Sequence, residues 1–287
     1  MIEVIQDTLI DAVKLIPFLF LAYLLMEYLE HKTGSKTKEL VKKSGKLGPL
    51  FGSILGIFPQ CGFSAAAANL YSGRVITLGT LIAVFLATSD EMLPILISEA
   101  APISLILKII GIKLVIGIIA GFMVDGVQTI ILKRKKITSR ENTEEAIGHI
   151  CEDEHCHCEH GIFKSALKHT INIIIFIVII TFILNTIIHF VGEEEIAHAL
   201  ASVPFVGILL IALVGFIPNC AGSVIITELY LSNLISLGAM MAGLLVGSGI
   251  GILVLFKSNK HLKQNFAIVG ILYAVGVISG LLIDLII

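Results

Sequence analysis

Apolar residues run through the chain in blocks, several of them longer than the roughly 18 residues that cross a bilayer. Polar residues gather between the blocks. The first block covers residues 8–29, with Asp11 and Lys14 one turn apart near its start and Pro17 as a point for a kink. A basic stretch follows, from Lys32 through Lys36, Lys38, Lys42 and Lys43 to Lys46. Residues 47–98 are apolar again, broken first by Gly56-Ile-Phe-Pro-Gln-Cys-Gly-Phe-Ser64 and later by Asp90-Glu91 ahead of Pro94. A long span from about residue 102 stops at Lys133-Arg-Lys-Lys136, and residues 137–161 are polar. Two further apolar regions, 162–190 and 203–256, flank Glu193-Glu-Glu195, and Lys257, Lys260 and Lys263 precede the last span. Blocks of this length predict helices, not the short alternating strands of an outer-membrane barrel.

The second long apolar region is interrupted by Gly215-Phe-Ile-Pro-Asn-Cys-Ala-Gly-Ser223, in which proline, amide, cysteine and serine recur in register with the first interruption. Shifted by 159 residues, the chain aligns with itself without gaps: Leu70, Tyr71, Ile76, Leu78, Gly79 and Ala83 meet Leu229, Tyr230, Ile235, Leu237, Gly238 and Ala242. Gly111, Gly117, Gly121 and Asp125 meet Gly270, Gly276, Gly280 and Asp284. A shift of 158 sets Asp11 and Lys14 against His169 and Asn172, a weaker match. The expected domains are a first transmembrane repeat (1–136), a polar loop (137–161) and a second repeat (162–287).

Charge placement gives the orientation. Basic clusters mark the cytoplasmic side, so the N-terminus is expected outside, residues 137–161 inside, and the Glu193-Glu-Glu195 turn outside. Each repeat then crosses an odd number of times and the two are inverted relative to each other. The predicted fold class is an all-α polytopic membrane protein of two inverted repeats, about five membrane segments each, with broken helices at Pro-Gln-Cys and Pro-Asn-Cys. Inverted repeats with discontinuous helices meeting at the midplane are the architecture of many secondary transporters. The composition agrees, at 56% hydrophobic residues and a mean hydropathy of +0.97. An acidic N-terminus (Glu3, Asp7) and no cleavage site after the first block give no sign of a cleavable leader.

Three groups of residues carry candidate chemistry. The first is the pair of interruptions. Proline and glycine free backbone groups, and at membrane depth such groups are tolerated only where they line protein or a watery cavity. Pro59, Gln60, Cys61, Ser64 and Asn69 are therefore candidate substrate-binding residues, with Pro218, Asn219, Cys220 and Ser223 as their counterparts. Ser64 or Ser223 is expected to cap the half-helix that follows. The second group is acidic: Asp90 and Glu91, whose counterparts are Gly249 and Ile250, and Glu228, opposite Asn69. An intramembrane charge is functional by default. The third is the loop, where Cys151, His155, Cys156, His157, Cys158 and His160 lie within a dozen residues among acidic ones. Thiolates and imidazoles suit soft metals, and the compressed spacing predicts a flexible metal-collecting tract, not a zinc finger. Asp11, Lys14, His169 and Asn172 are secondary candidates.

Several classes are excluded or disfavoured. There is no His-Glu-x-x-His site and no Gly-x-x-x-x-Gly-Lys phosphate loop. Asp125 and Asp284 are expected on opposite sides of the membrane, which speaks against an aspartyl dyad; Gly-x-x-x-Gly-x-x-x-Asp reads as close helix packing. The basic clusters are juxtamembrane anchors, so no nucleic acid is expected.

The two interruptions, the Ala87-Thr-Ser-Asp-Glu91 run and the His/Cys loop before Gly161-Ile-Phe-Lys-Ser-Ala-Leu-Lys-His169 resemble the ten-transmembrane heavy-metal exporters, also labelled arsenic efflux proteins or manganese transporters. The likeness extends over nearly the whole chain. It implies a permease of a bacterial or archaeal inner membrane, with the lipid bilayer and a metal or metalloid ion as partners. Export of a divalent cation such as manganese is the first expectation; the alternatives are arsenic(III) or organoarsenical efflux and, from another class, a metal sensor or intramembrane enzyme. No enzymatic activity is expected, and no cofactor beyond a metal ion on the loop. A homo-oligomer is compatible with the sequence and not required by it.

Overall fold

The computed structural model describes residues 13, 16–17, 19–21, 23–24, 47–58, 61–89, 92–134, 162–191, 204–218 and 220–286. Among these the chain is helical and has no strand. The helices are α1 (Gly48–Gly56), α2 (Cys61–Ser72), α3 (Leu78–Ala87), α4 (Met92–Ser98), α5 (Ile103–Arg134), α6 (Ile162–Val191), α7 (Pro204–Val214), α8 (Cys220–Leu231), α9 (Leu237–Val246), α10 (Gly251–Ser258) and α11 (Leu262–Ile286). The chain is an all-α polytopic membrane protein.

Among the described residues four stretches are long and apolar enough to cross a membrane, and they fall into two kinds. Leu78–Ser98 and Leu237–Ser258 are 75% and 78% buried inside the protein, whereas Ile103–Ile130 and Leu262–Ile286 are only 22% and 33% buried. The first kind comprises α3–α4 and α9–α10, so the centre of the bundle is made of helices interrupted part-way. The second kind, α5 and α11, packs on α3 and α9 from outside and leaves leucine, isoleucine and phenylalanine exposed, as lipid contact requires. That α3 ends at Ala87 and α9 at Val246, with α4 and α10 beginning separately, was not expected from the sequence.

The internal repeat is physical. α2, α3, α4 and α5 begin at Cys61, Leu78, Met92 and Ile103; α8, α9, α10 and α11 begin 159 residues later, at Cys220, Leu237, Gly251 and Leu262. α2 ends through a left-handed residue, Arg74 at φ 58°, and α8 through Asn233 at φ 57°. The closing bonds match as well, Val75 N to Leu70 O at 2.8 Å and Leu234 N to Leu229 O at 2.9 Å, the wrap that ends a helix by tying its last carbonyls.

The two aspartates have equivalent tasks. Asp125, on α5, accepts the Thr77 hydroxyl at 2.7 Å and the Gly79 N–H at 2.7 Å. Asp284, on α11, accepts the Ser236 hydroxyl at 2.5 Å and the Gly238 N–H at 2.7 Å. Thr77 and Ser236 are themselves the N-caps of α3 and α9. Each carboxylate thus caps the neighbouring helix within its own half and sits at the positive end of its dipole. Asp125→Ala and Asp284→Ala are each expected to lower stability by about 1–2 kcal/mol, read as a fall in melting temperature of the solubilised protein. A fall in only one of the two variants would break the equivalence.

Arg74, three residues before Thr77, donates to the Gln264 side chain at 3.5 Å. Thr77 is bonded to the C-terminal third of α5, and Gln264 lies in the first turn of α11. At this point the C-terminal third of α5 lies near the first turn of its equivalent helix α11.

Candidate functional site

The halves meet at the interruptions of α3–α4 and α9–α10. A small cavity of about 20 Å³ lies there, lined by Thr88, Ser89, Met92 and Lys113 from the first half and by Ser223 and Gly249 among others from the second. That volume admits about one water-sized species.

Lys113 dominates it. It is 1% exposed, although it lies within the apolar span 103–130 of α5. A lysine carried into the membrane interior costs about 2.5–3.5 kcal/mol on insertion scales, and burial demands that the charge be satisfied. Its Nζ donates to the carbonyl of Thr88, the C-cap residue of α3, and to that of Leu244, in the last turn of α9, at 2.8 Å. The carbonyls of a last turn have no partner inside their own helix. One ammonium therefore bridges the negative ends of two equivalent helices, one from each half.

Glycine makes the approach close. A Cβ at Gly251 would stand 2.8 Å from the Cβ of Ser64 and 2.9 Å from the Phe85 ring, so α10 lies directly on α2. A Cβ at Gly215 would stand 2.2 Å from the Gly243 carbonyl oxygen.

Of the residues singled out in the sequence, Ser223 lines the cavity. Cys61 begins α2, is half-buried and is not in a disulfide. Cys220 begins α8, with its side chain outside the described residues. Pro218 sits in the bend before it. Pro59, Gln60, Asp90, Glu91, Asn219, Asp11 and Lys14, the loop residues Cys151, His155, Cys156, His157, Cys158 and His160, and the side chain of His169 also lie outside the described residues. Asn172 is exposed on α6 and Glu228 is exposed on α8. Among the described residues no three His, Cys, Asp or Glu side chains converge as metal ligands.

The capping role expected of Ser64 and Ser223 is corrected. Each is the fourth residue of its helix, where no N-cap can act, and the Ser64 hydroxyl donates back to the Cys61 carbonyl at 2.8 Å. Asn69 is not among the cavity residues either. It is 1% exposed, and its side-chain oxygen accepts from Tyr23 Oη at 3.2 Å and Ser258 Oγ at 2.7 Å. It ties α2 to α10 and to the N-terminal helical residues.

Lys113, Thr88 and Ser89 are site residues that the sequence reading passed over. A lone lysine inside the apolar run 103–130 was the available signal for the first, and the Ser89/Ser248 register match for the break.

A polytopic α-helical membrane protein in two equivalent halves, with a polar cavity at their junction, is the class that fold and cavity define. The chain belongs to the family ArsP_2, described as "Putative, 10TM heavy-metal exporter", whose model matches residues 1–191. That match is narrower than the likeness expected over nearly the whole chain; it includes the first interruption and the loop and stops before the second interruption. No curated protein and no solved structure matches the chain.

Proposed function

We propose that the protein exports a divalent metal cation, manganese being the representative case, by alternating access at the junction of its halves. One observation carries this reading: the ends of α3 and α9 converge on a buried positive charge in a cavity shared by both halves. Helix C-termini favour cations, and unwound carbonyls at broken helices coordinate ions in transporters of inverted architecture. Asp90 and Glu91, directly after Thr88 and Ser89 in sequence, would add hard oxygen ligands. The opposite ends that α5 and α11 present support the inversion on which alternating access depends.

In this reading residues 1–136 and 162–287 are the two moving units of an inner-membrane carrier. The N-terminus is outside, and the loop 137–161 is cytoplasmic and collects metal. The α2–α10 contact closes the cytoplasmic end, the end that Lys257 and Lys260 mark. The enzyme alternative loses its main support, because Asp125 and Asp284 are each committed to a helix cap in a separate half.

Arsenic(III) efflux is the second reading, favoured by Cys61 and Cys220 at equivalent helix starts. A strain lacking its own exporters and expressing this chain separates the two. On the cation reading, manganese tolerance rises, cell manganese falls, and Cys61→Ser with Cys220→Ser keeps transport within about twofold, since thiolates suit soft metals and oxygen ligands hard ones. Arsenite tolerance that the double substitution abolishes would replace the cation reading. No change with any metal or with arsenite would end both.

A further inference from the structure

Lys113 occupies the place that a transported cation would itself seek. Its ammonium is held by a Thr88 carbonyl and a Leu244 carbonyl that belong to the ends of two equivalent helices, yet the residue equivalent to Lys113 in the second half is Leu272. One charge therefore serves two negative helix ends. Ser248, which stands between the cavity-lining residues Gly247 and Gly249 without lining the cavity itself, has a fully buried Oγ with no hydrogen-bond partner. A buried hydroxyl without a partner is uncommon in a native protein, and an oxygen of that kind is a ligand for a hard cation.

We propose that Lys113 is a built-in placeholder for the cargo: its ammonium and the exported cation compete for the same pair of helix ends. The proposal rests on the cation reading above and adds to it. Between transport cycles the ammonium neutralises the converging dipoles, so the junction does not collapse around an uncompensated field. Because Lys113 is on the first half and Leu244 on the second, the same bond ties the halves together. A cation entering between Thr88 and Leu244 repels the ammonium, takes over the carbonyls, and frees the halves to move. Cargo binding and release of the tie are then one event.

A competitor inside the protein weakens the apparent affinity for cargo by the fraction of time it holds the site. Lys113→Met keeps the length of the side chain and removes the charge. With the full-length protein in lipid vesicles and manganese(II) as probe, Lys113→Met is expected to lower the apparent KM about tenfold if the ammonium holds the site nine-tenths of the time. Movement of the halves should at the same time depend less on cargo, because the tie that cargo releases is lost. Lys113→Arg, which keeps a cation, is expected to leave KM within about twofold of the wild type. A merely structural lysine would lower the amount of active protein without tightening KM, and an unchanged or raised KM in folded Lys113→Met overturns the proposal.

A measurement on the unaltered protein covers the case in which Lys113→Met does not fold. Amine-reactive labelling of Lys113, read by mass spectrometry against exposed Lys108, is expected to rise when manganese(II) is added. Labelling indifferent to manganese overturns the proposal. If the wild type moves no divalent cation at all, the cation reading fails and the placeholder falls with it. If it moves manganese but KM and labelling do not respond, the placeholder alone fails.

Discussion

A methyl group added at Gly79, or at Gly238, is expected to cost the protein about 3 kcal/mol of stability, the sum of a steric and a capping loss. At Gly79 the new Cβ would stand 2.1 Å from the Gly121 carbonyl oxygen and 2.4 Å from Asp125 Cγ. At Gly238 it would stand 2.2 Å from the Gly280 carbonyl oxygen and 2.4 Å from Asp284 Oδ1. The clash is with backbone, so no rotamer relieves it; the long helix must move away from α3 or α9. Overpacking of this kind costs about 1–3 kcal/mol. The movement also draws the aspartate from the Gly79 or Gly238 N–H, and a lost cap adds about 1 kcal/mol. Against a total stability of about 5–15 kcal/mol, the folded population in the membrane should drop visibly. The control lies on the two long helices, α5 and α11. Gly111 and Gly270 are also repeat partners, and a Cβ at either meets nothing within 4 Å. Gly111→Ala and Gly270→Ala are expected to be neutral or to stabilise by up to about 1 kcal/mol through helix propensity. Thermal melts of the four purified variants decide the matter. Gly79→Ala melting with the wild type would mean that α3 and α5 do not touch as described.

These contacts show what the sequence could convey and what it could not. The register of Gly117, Gly121 and Asp125 with Gly276, Gly280 and Asp284 was readable as a helix-packing pattern, because small residues spaced by four must share one face. Its second half, the aspartate reaching across to cap another helix, was not, since nothing local marks Thr77 as the partner of a residue 48 positions away. The proline and glycine around Cys61 and Cys220 read as breaks, and α2 and α8 begin at those cysteines. The ends of α3 and α9 are not marked by a following proline, and Asp90 with Glu91 read as a charged pair, not as the sequel to a helix end. Lys113 was hidden for a related reason. Its meaning comes from two carbonyls, and backbone carbonyls have no signature in a sequence. Asn69 read as a cargo ligand because an amide in an apolar run suggests one, but its oxygen is taken by two hydroxyls from other helices.

The contact that absorbs Asn69 is expected to act as a gate. Joining cysteines introduced by Asn69→Cys and Ser258→Cys should reduce transport about tenfold or more, if the conformer locked out is needed in every cycle. The 2.7 Å bond between the native side chains holds the two positions close together, and a disulfide, which needs Cβ atoms about 4 Å apart, draws them together further. Around it the helices are closed: Ala65, Ala68 and Asn69 of α2 and Val254 and Leu255 of α10 are all buried. The equivalent pair in the other half has the opposite character. Glu228 on α8 and Glu99 just after α4 are both exposed, and Ile97 beside the latter is 67% exposed. On the transport reading, one end is thus packed and hydrogen-bonded, while its symmetry mate carries two exposed carboxylates. Alternating access requires that the two exchange roles. Oxidation of the 69/258 pair should therefore stop manganese efflux, and a reductant should restore it, with the wild type treated in parallel to account for native cysteines. Glu99→Cys with Glu228→Cys should cross-link more slowly in the same preparation. Full transport through a protein cross-linked between residues 69 and 258 would show that this end never opens, and the pathway would have to run elsewhere than between α2 and α10.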